Sequence, residues 1–244
     1  HQEGLSYQML AHDNGFTYVY GPLIALDAAS NSLTVGAIAT DKDEQLLPQR
    51  TVRYEQLVLA VGSTSNYFGV PGAKENTISL NATEDAERFR LTLLKLLAMA
   101  EQRQGDAGHP GVDIGIIGGG ATGVELAAEL REASGVYAAY GFQNLNAIKD
   151  VRITLLEGAP RILAPLPERV SIAASKLLHQ HGISVVTDTR VTTIEADKVT
   201  VASGTSYAAD ICVWAAGIRA PEFLATLGLP TNRAGQLEVT GMLN

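Results

Sequence analysis

The 244-residue sequence predicts an α/β protein whose helices, parallel β-sheet and β-meander form a three-layer domain, plus an incomplete second domain of the same type. One observation is an apolar strand at 114–117 that runs into a glycine-rich turn and a helix. Another is an apolar strand at 151–156, of the continuously hydrophobic kind that a parallel sheet buries on both faces. The third is a series of short strands between 183 and 202, followed by an apolar strand at 210–217.

The glycine-rich turn has the spacing G-x-G-x-x-G at Gly118, Gly120 and Gly123. Gly118 permits a tight turn, Gly120 lets a ligand approach the backbone, and Gly123 lets helix and strand pack closely. N–H groups at the helix start would then face a pyrophosphate. A tight turn in any parallel domain can show this spacing, but the flanking strand and helix favour a Rossmann-like dinucleotide site. Its predicted contacts are Gly118, Gly119, Gly120, Ala121, Thr122 and Gly123.

An acidic residue, Glu157, ends the second apolar strand, and Gly158 is predicted to be a contact beside it. A carboxylate here can accept hydrogen bonds from the adenosine ribose and repels the 2′-phosphate of NADPH, so the sequence favours NADH. Arg161 leaves an alternative open, because an arginine just past a strand end can meet a phosphate or project into solvent. Glu157 lies beyond the usual spacing of about 20 residues, which an insertion at 137–150 would explain.

The elements after Glu157 complete the predicted domain. Apolar spacing predicts a helix at 168–181, and three short strands are predicted as a meander at 183–187, 191–195 and 199–202. The apolar strand at 210–217 ends in small residues, which permit close backbone approach. Ala216, Gly217 and Ile218 are therefore predicted to line the adenosine or nicotinamide side of the site.

The first part of the chain repeats the later half of this pattern. Strands are predicted at 17–26, 33–38 and 50–54, and a buried strand at 57–62 resembles the one at 212–217. No glycine turn precedes this copy, so we expect an earlier β-α-β unit before residue 1. The alternative is a chance similarity, because buried parallel strands resemble one another.

A helix is predicted to join the two copies. Asn81 can cap its N-terminus, with Glu84 three residues later, and apolar residues from Ala86 to Ala100 follow helical spacing. The polar stretch 102–111 is predicted to end it.

Composition excludes several classes of function. The net charge of −8 and the lack of a basic run argue against a nucleic-acid partner. A single cysteine, Cys212, excludes an internal disulfide and a thiolate metal cluster, and no metal site is predicted. No apolar run is long enough to cross a bilayer.

Three motifs together resemble the flavoproteins with two dinucleotide-binding domains, and among them the type II NADH:quinone oxidoreductases. The motifs are LAVGSTSN at 59–66, GGGATGVELAAEL at 118–130, and VWAAGI at 213–218 followed by Ala220-Pro221. The resemblance covers nearly the whole chain. It implies an FAD-dependent enzyme that passes a hydride from NADH to FAD and then electrons to quinone.

The resemblance also implies a domain organisation. Residues 1–80 would be an incomplete remnant of the FAD domain, 81–234 the NADH-binding domain with its leading helix, and 235–244 the start of the return to the FAD domain. Val61, Gly62 and Ser63 would contact FAD in the complete protein. This chain alone is expected to be a soluble and inactive fragment. The complete protein is expected to be peripheral on the cytoplasmic side of a membrane, to bind quinone and membrane surface through other regions, and to form a possible homodimer.

Glu125, in the first turn of the helix after the glycine turn, is the predicted catalytic residue. From the sequence it can be an acid that only stabilises the helix N-terminus, or a functional carboxylate. The resemblance favours function, because the matching glutamate lines the contact of nicotinamide with flavin.

Two other functions remain alternatives. One is another pyridine nucleotide flavoprotein, such as a disulfide reductase, although this chain has no Cys-x-x-Cys. The other is a non-catalytic nucleotide-binding module that senses redox state.

Overall fold

The computed structural model of the protein describes residues 6–102, 111–141 and 145–242. The chain forms two compact units, one of residues 1–63 with 219–244 and one of residues 64–218. The functional domains at 1–80, 81–234 and 235–244 stay a prediction.

The first unit is built mainly of short antiparallel strands. Helix α1 spans Tyr7–Asn14, and the Ser6 side chain accepts a hydrogen bond at its N-terminus. The strands are β1 (Leu23–Asp27), β2 (Ser32–Val35), β3 (Ile38–Ala39), β4 (Gln45–Leu47) and β5 (Arg50–Arg53). Strands β1, β2 and β5 form one sheet in that order, so the strands predicted at 17–26, 33–38 and 50–54 are confirmed in shortened form. A 3-10 helix at Glu222–Thr226 follows the second unit.

The predicted buried strand at 57–62 is wrong. Within the described part of the chain no strand pairs with it, and Val58 is 86% exposed. Strand formation requires neighbouring N–H and C=O groups to complete the hydrogen bonds. Apolar composition alone therefore did not decide the conformation of this segment.

The second unit contains the predicted dinucleotide fold. Its helices are α2 (Ala73–Asn76), α3 (Thr83–Gln102), α4 (Ala121–Tyr140) and α5 (Glu168–Gln180). Its strands are β6 (Thr64–Ser65), β7 (Val112–Ile117), β8 (Val151–Leu156), β9 (Ile183–Val186), β10 (Val191–Ile194), β11 (Lys198–Val201), β12 (Ser206–Ala208) and β13 (Ile211–Trp214). Strand β14 (Ile218–Arg219) lies where the chain passes between the units.

Four parallel strands form the central sheet, in the order β13-β7-β8-β9. Strands β7 and β8 pair in register from Val112 opposite Val151 to Ile117 opposite Leu156. The carboxyl ends of these neighbouring strands therefore meet at one edge, which is where ligands bind in parallel sheets.

Each face of this sheet packs against a different layer, so the predicted three-layer α/β class is confirmed. Helices α3, α4 and α5 cover one face, where Leu97 and Ala127 contact alternate strand residues such as Ile116 and Leu155. The antiparallel meander covers the other face, with Val199 packed in the same cluster as the strand residues of that face. This alternation follows from the two-residue period of side chains along a strand.

The membership of the meander differs from the prediction. It consists of β10, β11 and β12, whereas β9 belongs to the parallel sheet. The short strand β12 was missed because Ser206-Tyr207-Ala208 contains little apolar signal. The helix predicted at 168–181 is confirmed as α5.

The predicted N-cap of α3 is also wrong. The Asn81 side chain donates to Ser65 Oγ at 2.7 Å and to Ser79 Oγ at 3.2 Å instead. The Asp85 carboxylate accepts the Asn81 backbone N–H at 3.3 Å, so the acid four residues later satisfies this terminus. The helix includes Gln102, and residues 103–110 of the predicted connection lie outside the described residues. The insertion at 137–150 starts within α4, and residues 142–144 lie outside the described residues.

Of the helices that the structure describes, none combines the length and the apolar character needed to span a bilayer.

Candidate functional site

The glycine turn links β7 to α4 at the carboxyl edge of the parallel sheet. Gly118 has φ +111°, a conformation that L side chains rarely adopt, and its N–H donates to Leu156 O at 2.8 Å. A Cβ on Gly118 would also lie 2.6 Å from the Ala215 carbonyl. Gly118 is therefore required by the turn and by the strand beside it.

Gly123 serves the close packing of helix on turn. It is buried, and a Cβ there would collide with the carbonyl oxygen of Gly118. Gly120, by contrast, is exposed, and a Cβ there would have no atom within 4 Å. The turn is thus sterically closed on the protein side and open above Gly120, the position predicted to approach a pyrophosphate.

The start of α4 supplies donors beside this opening. Gly120 occupies the N-cap position and has no side chain to cap the helix. Ala121 and Thr122 follow on the exposed side. N–H groups in a first helical turn have no carbonyl four residues earlier within the helix, so they are available to an anion.

Glu157 lies directly behind the glycine turn. One carboxylate oxygen accepts the Gly119 N–H at 2.5 Å, and the other accepts the Ala159 N–H at 2.7 Å. The sequence did not predict the bond to Gly119. Because the Gly119 N–H donates to the Glu157 carboxylate, it does not point into the opening above Gly120.

A groove of about 240 Å³ runs along the carboxyl edge of the sheet beside Glu157. Its lining residues come from the ends of β7, β8 and β13 and from the turn after β9. They are Phe68, Val70, Ile117, Gly118, Leu156, Glu157, Gly158, Thr189, Arg190, Val191, Trp214 and Ala216. The predicted residues Gly118, Glu157, Gly158 and Ala216 are thus brought together here.

A second groove, of about 340 Å³, shares Trp214 and Ala216 with the first. Its lining residues are Ser65, Leu80, Asn81, Thr122, Leu126, Val213, Trp214, Ala215, Ala216, Gly217 and Ile218. The predicted residues Thr122, Ala216, Gly217 and Ile218 meet here. An elongated ligand that passes Ala216 could occupy both grooves.

Gly217 is held against the segment that follows β6. Its carbonyl accepts the Asn66 N–H at 2.9 Å, and Trp214 Nε1 donates to Asn66 O at 2.9 Å. A Cβ on Gly217 would lie 2.5 Å from Phe68 Cζ. The small residue therefore permits a close approach, but the approaching group in this structure is the Phe68 ring.

Glu125 lies on the exposed side of α4. Thr122 and Leu126, three residues before it and one after it, line the second groove, whereas Glu125 is not a lining residue of either groove. Glu129, one turn later, is also exposed.

Arg161 has neither of the two arrangements that the sequence left open. Its Nη1 donates to Leu166 O at 2.9 Å and to Ser171 Oγ at 2.6 Å, and its Nη2 donates to Ala164 O at 2.5 Å. The guanidinium thus fastens the loop before α5 to that helix. It is committed to protein acceptors and does not line the groove beside Glu157.

Val61, Gly62 and Ser63 lie in the first unit, where all three are exposed and outside any strand. Gly62 has φ +71°, which favours glycine. Their predicted contact with FAD stays a prediction.

The sequence reasoning missed Thr189 and Arg190. Both follow β9, the third parallel strand, and both line the groove beside Glu157. The rule that ligands bind at the carboxyl ends of parallel strands was the signal that could have found them.

Sequence comparison identifies relatives of this chain. It is 32% identical over 254 residues to the type II NADH:quinone oxidoreductase of Haemophilus influenzae, which covers 99% of this chain and 57% of the relative. It is 29% identical to the demethylphylloquinone reductase NdbB of Synechocystis, over 97% of this chain and 56% of the relative. The chain therefore spans little more than half the length of these curated relatives.

Solved structures show the same fold. NDH2 from Plasmodium falciparum in complex with NADH matches with a TM-score of 0.71 and 17% identity, over 87% of this chain and 44% of that one. A ferredoxin reductase from Rhodopseudomonas palustris matches with a TM-score of 0.68 and 20% identity, over 93% of this chain and 48% of that one. The family model described as pyridine nucleotide-disulphide oxidoreductase matches residues 12–244. The chain belongs to the pyridine nucleotide-disulphide oxidoreductase family.

Proposed function

We propose that this chain is the NADH-binding portion of an FAD-dependent NADH:quinone oxidoreductase. The observation that carries the proposal is the open glycine turn at Gly120 next to an acid, Glu157, at the end of the neighbouring parallel strand. The relatives from Haemophilus influenzae and Synechocystis are an NADH:quinone oxidoreductase and a demethylphylloquinone reductase, which supports a quinone as the electron acceptor.

The adenosine half of NADH is assigned to the groove beside Glu157. The carboxylate oxygens each retain a lone pair beyond their backbone N–H bonds, and these can accept ribose hydroxyls. The pyrophosphate is assigned to Gly120, Ala121 and Thr122 at the start of α4, where donors and the helix dipole favour an anion. Gly118, Gly119 and Gly123 shape the turn that presents these donors.

The nicotinamide half is assigned to the second groove, past Ala216. Gly217 and Ile218 form its floor with Thr122, and Ile218 is 71% exposed. Glu125 lies next to this groove on α4, and we propose that it positions the nicotinamide or relays a proton. Small and apolar side chains make up much of this lining, which suits the planar nicotinamide ring.

FAD, when bound, would accept the hydride of NADH and pass two electrons on to quinone, which takes up two protons. Val61, Gly62 and Ser63 are proposed to contact FAD. For the complete protein we propose a quinone substrate and a peripheral position on the cytoplasmic side of a membrane. We also propose that it forms a homodimer.

Preference for NADH over NADPH follows from Glu157. A carboxylate beside the ribose attracts a free diol and repels a 2′-phosphate. Titration calorimetry with NADH, NADPH and ADP-ribose tests this, and we expect NADH to bind more tightly than NADPH. ADP-ribose should retain most of the affinity, because it carries the groups assigned to the first groove. No binding of NADH or ADP-ribose would overturn the site.

Activity tests the remaining part of the proposal. The complete protein supplied with FAD should oxidise NADH in step with the reduction of a soluble quinone analogue. Binding of NADH without any quinone reduction would instead support a nucleotide-binding sensor.

A further inference from the structure

Two arginines, Arg161 and Arg190, are candidates to meet a phosphate of a nucleotide, and only Arg190 lines the groove assigned to adenosine. Arg161 is held by Leu166, Ser171 and Ala164, as described above. Arg190 lines the groove together with Glu157 and its side chain is exposed. Among the lining residues that the structure describes, Glu157 and Arg190 are the two that carry a charge.

The backbone holds Arg190 close to Glu157 through the turn after β9. The Glu157 N–H donates to Val186 O, and Glu157 O accepts the Thr189 N–H, both at 2.9 Å. Asp188, between these two contacts, has φ +52° and makes the turn. Arg190 O then accepts the Ala202 N–H at 2.9 Å, which ties the residue to the meander.

Within the part of the chain that the structure describes, no acceptor holds the guanidinium of Arg190. Within residues 6–102, 111–141 and 145–242, no carboxylate forms an ion pair with it. A fixed backbone with an exposed, uncommitted cation is suited to receive an anionic group of a ligand. Arginine binds phosphate through two parallel N–H bonds, which lysine does not reproduce.

We propose that Arg190 is a specificity-determining residue: its guanidinium receives the 2′-phosphate of NADPH and so limits the preference for NADH that Glu157 imposes. This inference rests on the proposed function, because it assumes that adenosine occupies the groove beside Glu157. The arginine that allows NADPH to bind is therefore Arg190. Arg161 instead has a structural role in the loop before α5.

The test compares two probes that differ by the 2′-phosphate alone, adenosine 5′-diphosphate (5′-ADP) and adenosine 2′-phosphate 5′-diphosphate (2′-phospho-5′-ADP), by titration calorimetry. Arg190→Ala should weaken binding of 2′-phospho-5′-ADP by on the order of tenfold, the effect of an exposed charge-assisted contact. Binding of 5′-ADP should change less than about twofold, since that contact is absent. Arg190→Lys should fall between the wild type and Arg190→Ala, because it keeps the charge and loses the paired bonds.

Arg169→Ala is the matched control, because Arg169 is an exposed arginine at the start of α5 that does not line the groove. It should leave both probes unchanged. The effect of Arg190→Ala should shrink at an ionic strength of about 1 M, where the Debye length is about 3 Å. Thermal melts of each variant, together with the retained 5′-ADP affinity, show that the fold is intact.

The outcomes separate this inference from the function on which it rests. Equal weakening of both probes would show that Arg190 contacts the phosphates they share, and would overturn the inference. So would unchanged binding of both probes, or a wild type that binds NADH but does not measurably bind 2′-phospho-5′-ADP. A wild type that fails to bind NADH and 5′-ADP would overturn the proposed function itself.

Discussion

The carboxylate of Glu157 accepts the backbone N–H of Gly119 at 2.5 Å, so the acid that ends one strand holds the glycine turn that ends its neighbour. The relationship arises because β7 and β8 pair in register up to Ile117 and Leu156. Glu157 therefore has a structural contact in addition to the ribose contact that we propose.

Substitution of Glu157 should separate these two contacts. Glu157→Gln removes the charge and keeps one acceptor oxygen, so the NADH-to-NADPH affinity ratio should fall while one of the two backbone N–H bonds is retained. Glu157→Ala should also lower the ratio and, by leaving the Gly119 N–H without this acceptor, should cost about 1–3 kcal/mol of stability. Calorimetry and thermal melts measure both quantities. An unchanged ratio in both variants would contradict the assigned role of the charge.

Alanine substitutions at Gly120 and Gly123 should affect different properties, NADH affinity in the first case and stability in the second. Gly120→Ala meets no atom within 4 Å and has an ordinary φ of −73°, so the fold should be retained while NADH affinity falls. Gly123→Ala would force a methyl group against Gly118 O and should destabilise the protein by about 1–3 kcal/mol. Thermal melts and NADH titrations of the pair provide the comparison. A Gly120→Ala protein with full NADH affinity would place the pyrophosphate elsewhere.

Glu125→Gln in the complete protein should slow turnover while the fold stays intact. Loss of one charge-assisted contact near the reacting ring costs about 1–3 kcal/mol, or roughly tenfold to a hundredfold in rate. Glu129→Gln is the control, because Glu129 is exposed on the same helix one turn further from the glycine turn. Loss of a helix-dipole contact alone would lower stability by about 0.3–1 kcal/mol with normal kinetics, and that result would assign Glu125 a structural role. Steady-state NADH oxidation and melting curves distinguish the two.

Arg131 should be important for stability although no nucleotide contact is assigned to it. The residue is 7% exposed, and its guanidinium donates to Ala147 O, to Val151 O at 2.8 Å and to Gly182 O at 3.2 Å. Burial lowers the pKa of Arg131. Arg131→Met should leave these carbonyls without their donor and cost about 2 kcal/mol or more, measured by urea unfolding. Arg169→Met, on an exposed site, should change stability by less than about 0.5 kcal/mol.

Cys212 should make the free energy of unfolding depend on pH in the alkaline range. Burial raises the pKa of its thiol to about 12, whereas the unfolded thiol ionises near the ordinary value of 9.0. Below about pH 8 the thiol is protonated in both states, so Cys212 contributes no pH dependence there. Between about pH 9 and 12 the unfolded state alone loses the proton, and stability should fall by at most about 1.4 kcal/mol per pH unit.

The Cys212 prediction is checked against Cys212→Ala, which shares every other titrating group. The stability advantage of the wild type over the variant should be constant below about pH 8 and shrink above pH 9. If the stability profiles of the wild type and of Cys212→Ala stay parallel above pH 9, burial does not raise the pKa of the Cys212 thiol.

The elements that could be predicted from the amino-acid sequence are those whose signal is local. The apolar run of β7 and the turn at Gly118–Gly123 were recognisable because strand, turn and helix start each depend on neighbouring residues. The end of β8 at Glu157 and the amphipathic helix α5 were predicted for the same reason. These elements are sufficient to predict the three-layer class and the edge of the sheet where a ligand binds.

Contacts between residues that are distant in the sequence could be seen only in the folded chain. Residues 57–62 would form a strand only with a pairing partner, which composition does not reveal. Strand β9 belongs to the parallel sheet because it pairs with β8. The side chains of Asn81 and Arg161 were taken up by acceptors that the fold placed within reach. Arg190 came to lie beside Glu157 because backbone hydrogen bonds join two segments about 30 residues apart in the sequence, and such long-range contacts leave no local pattern.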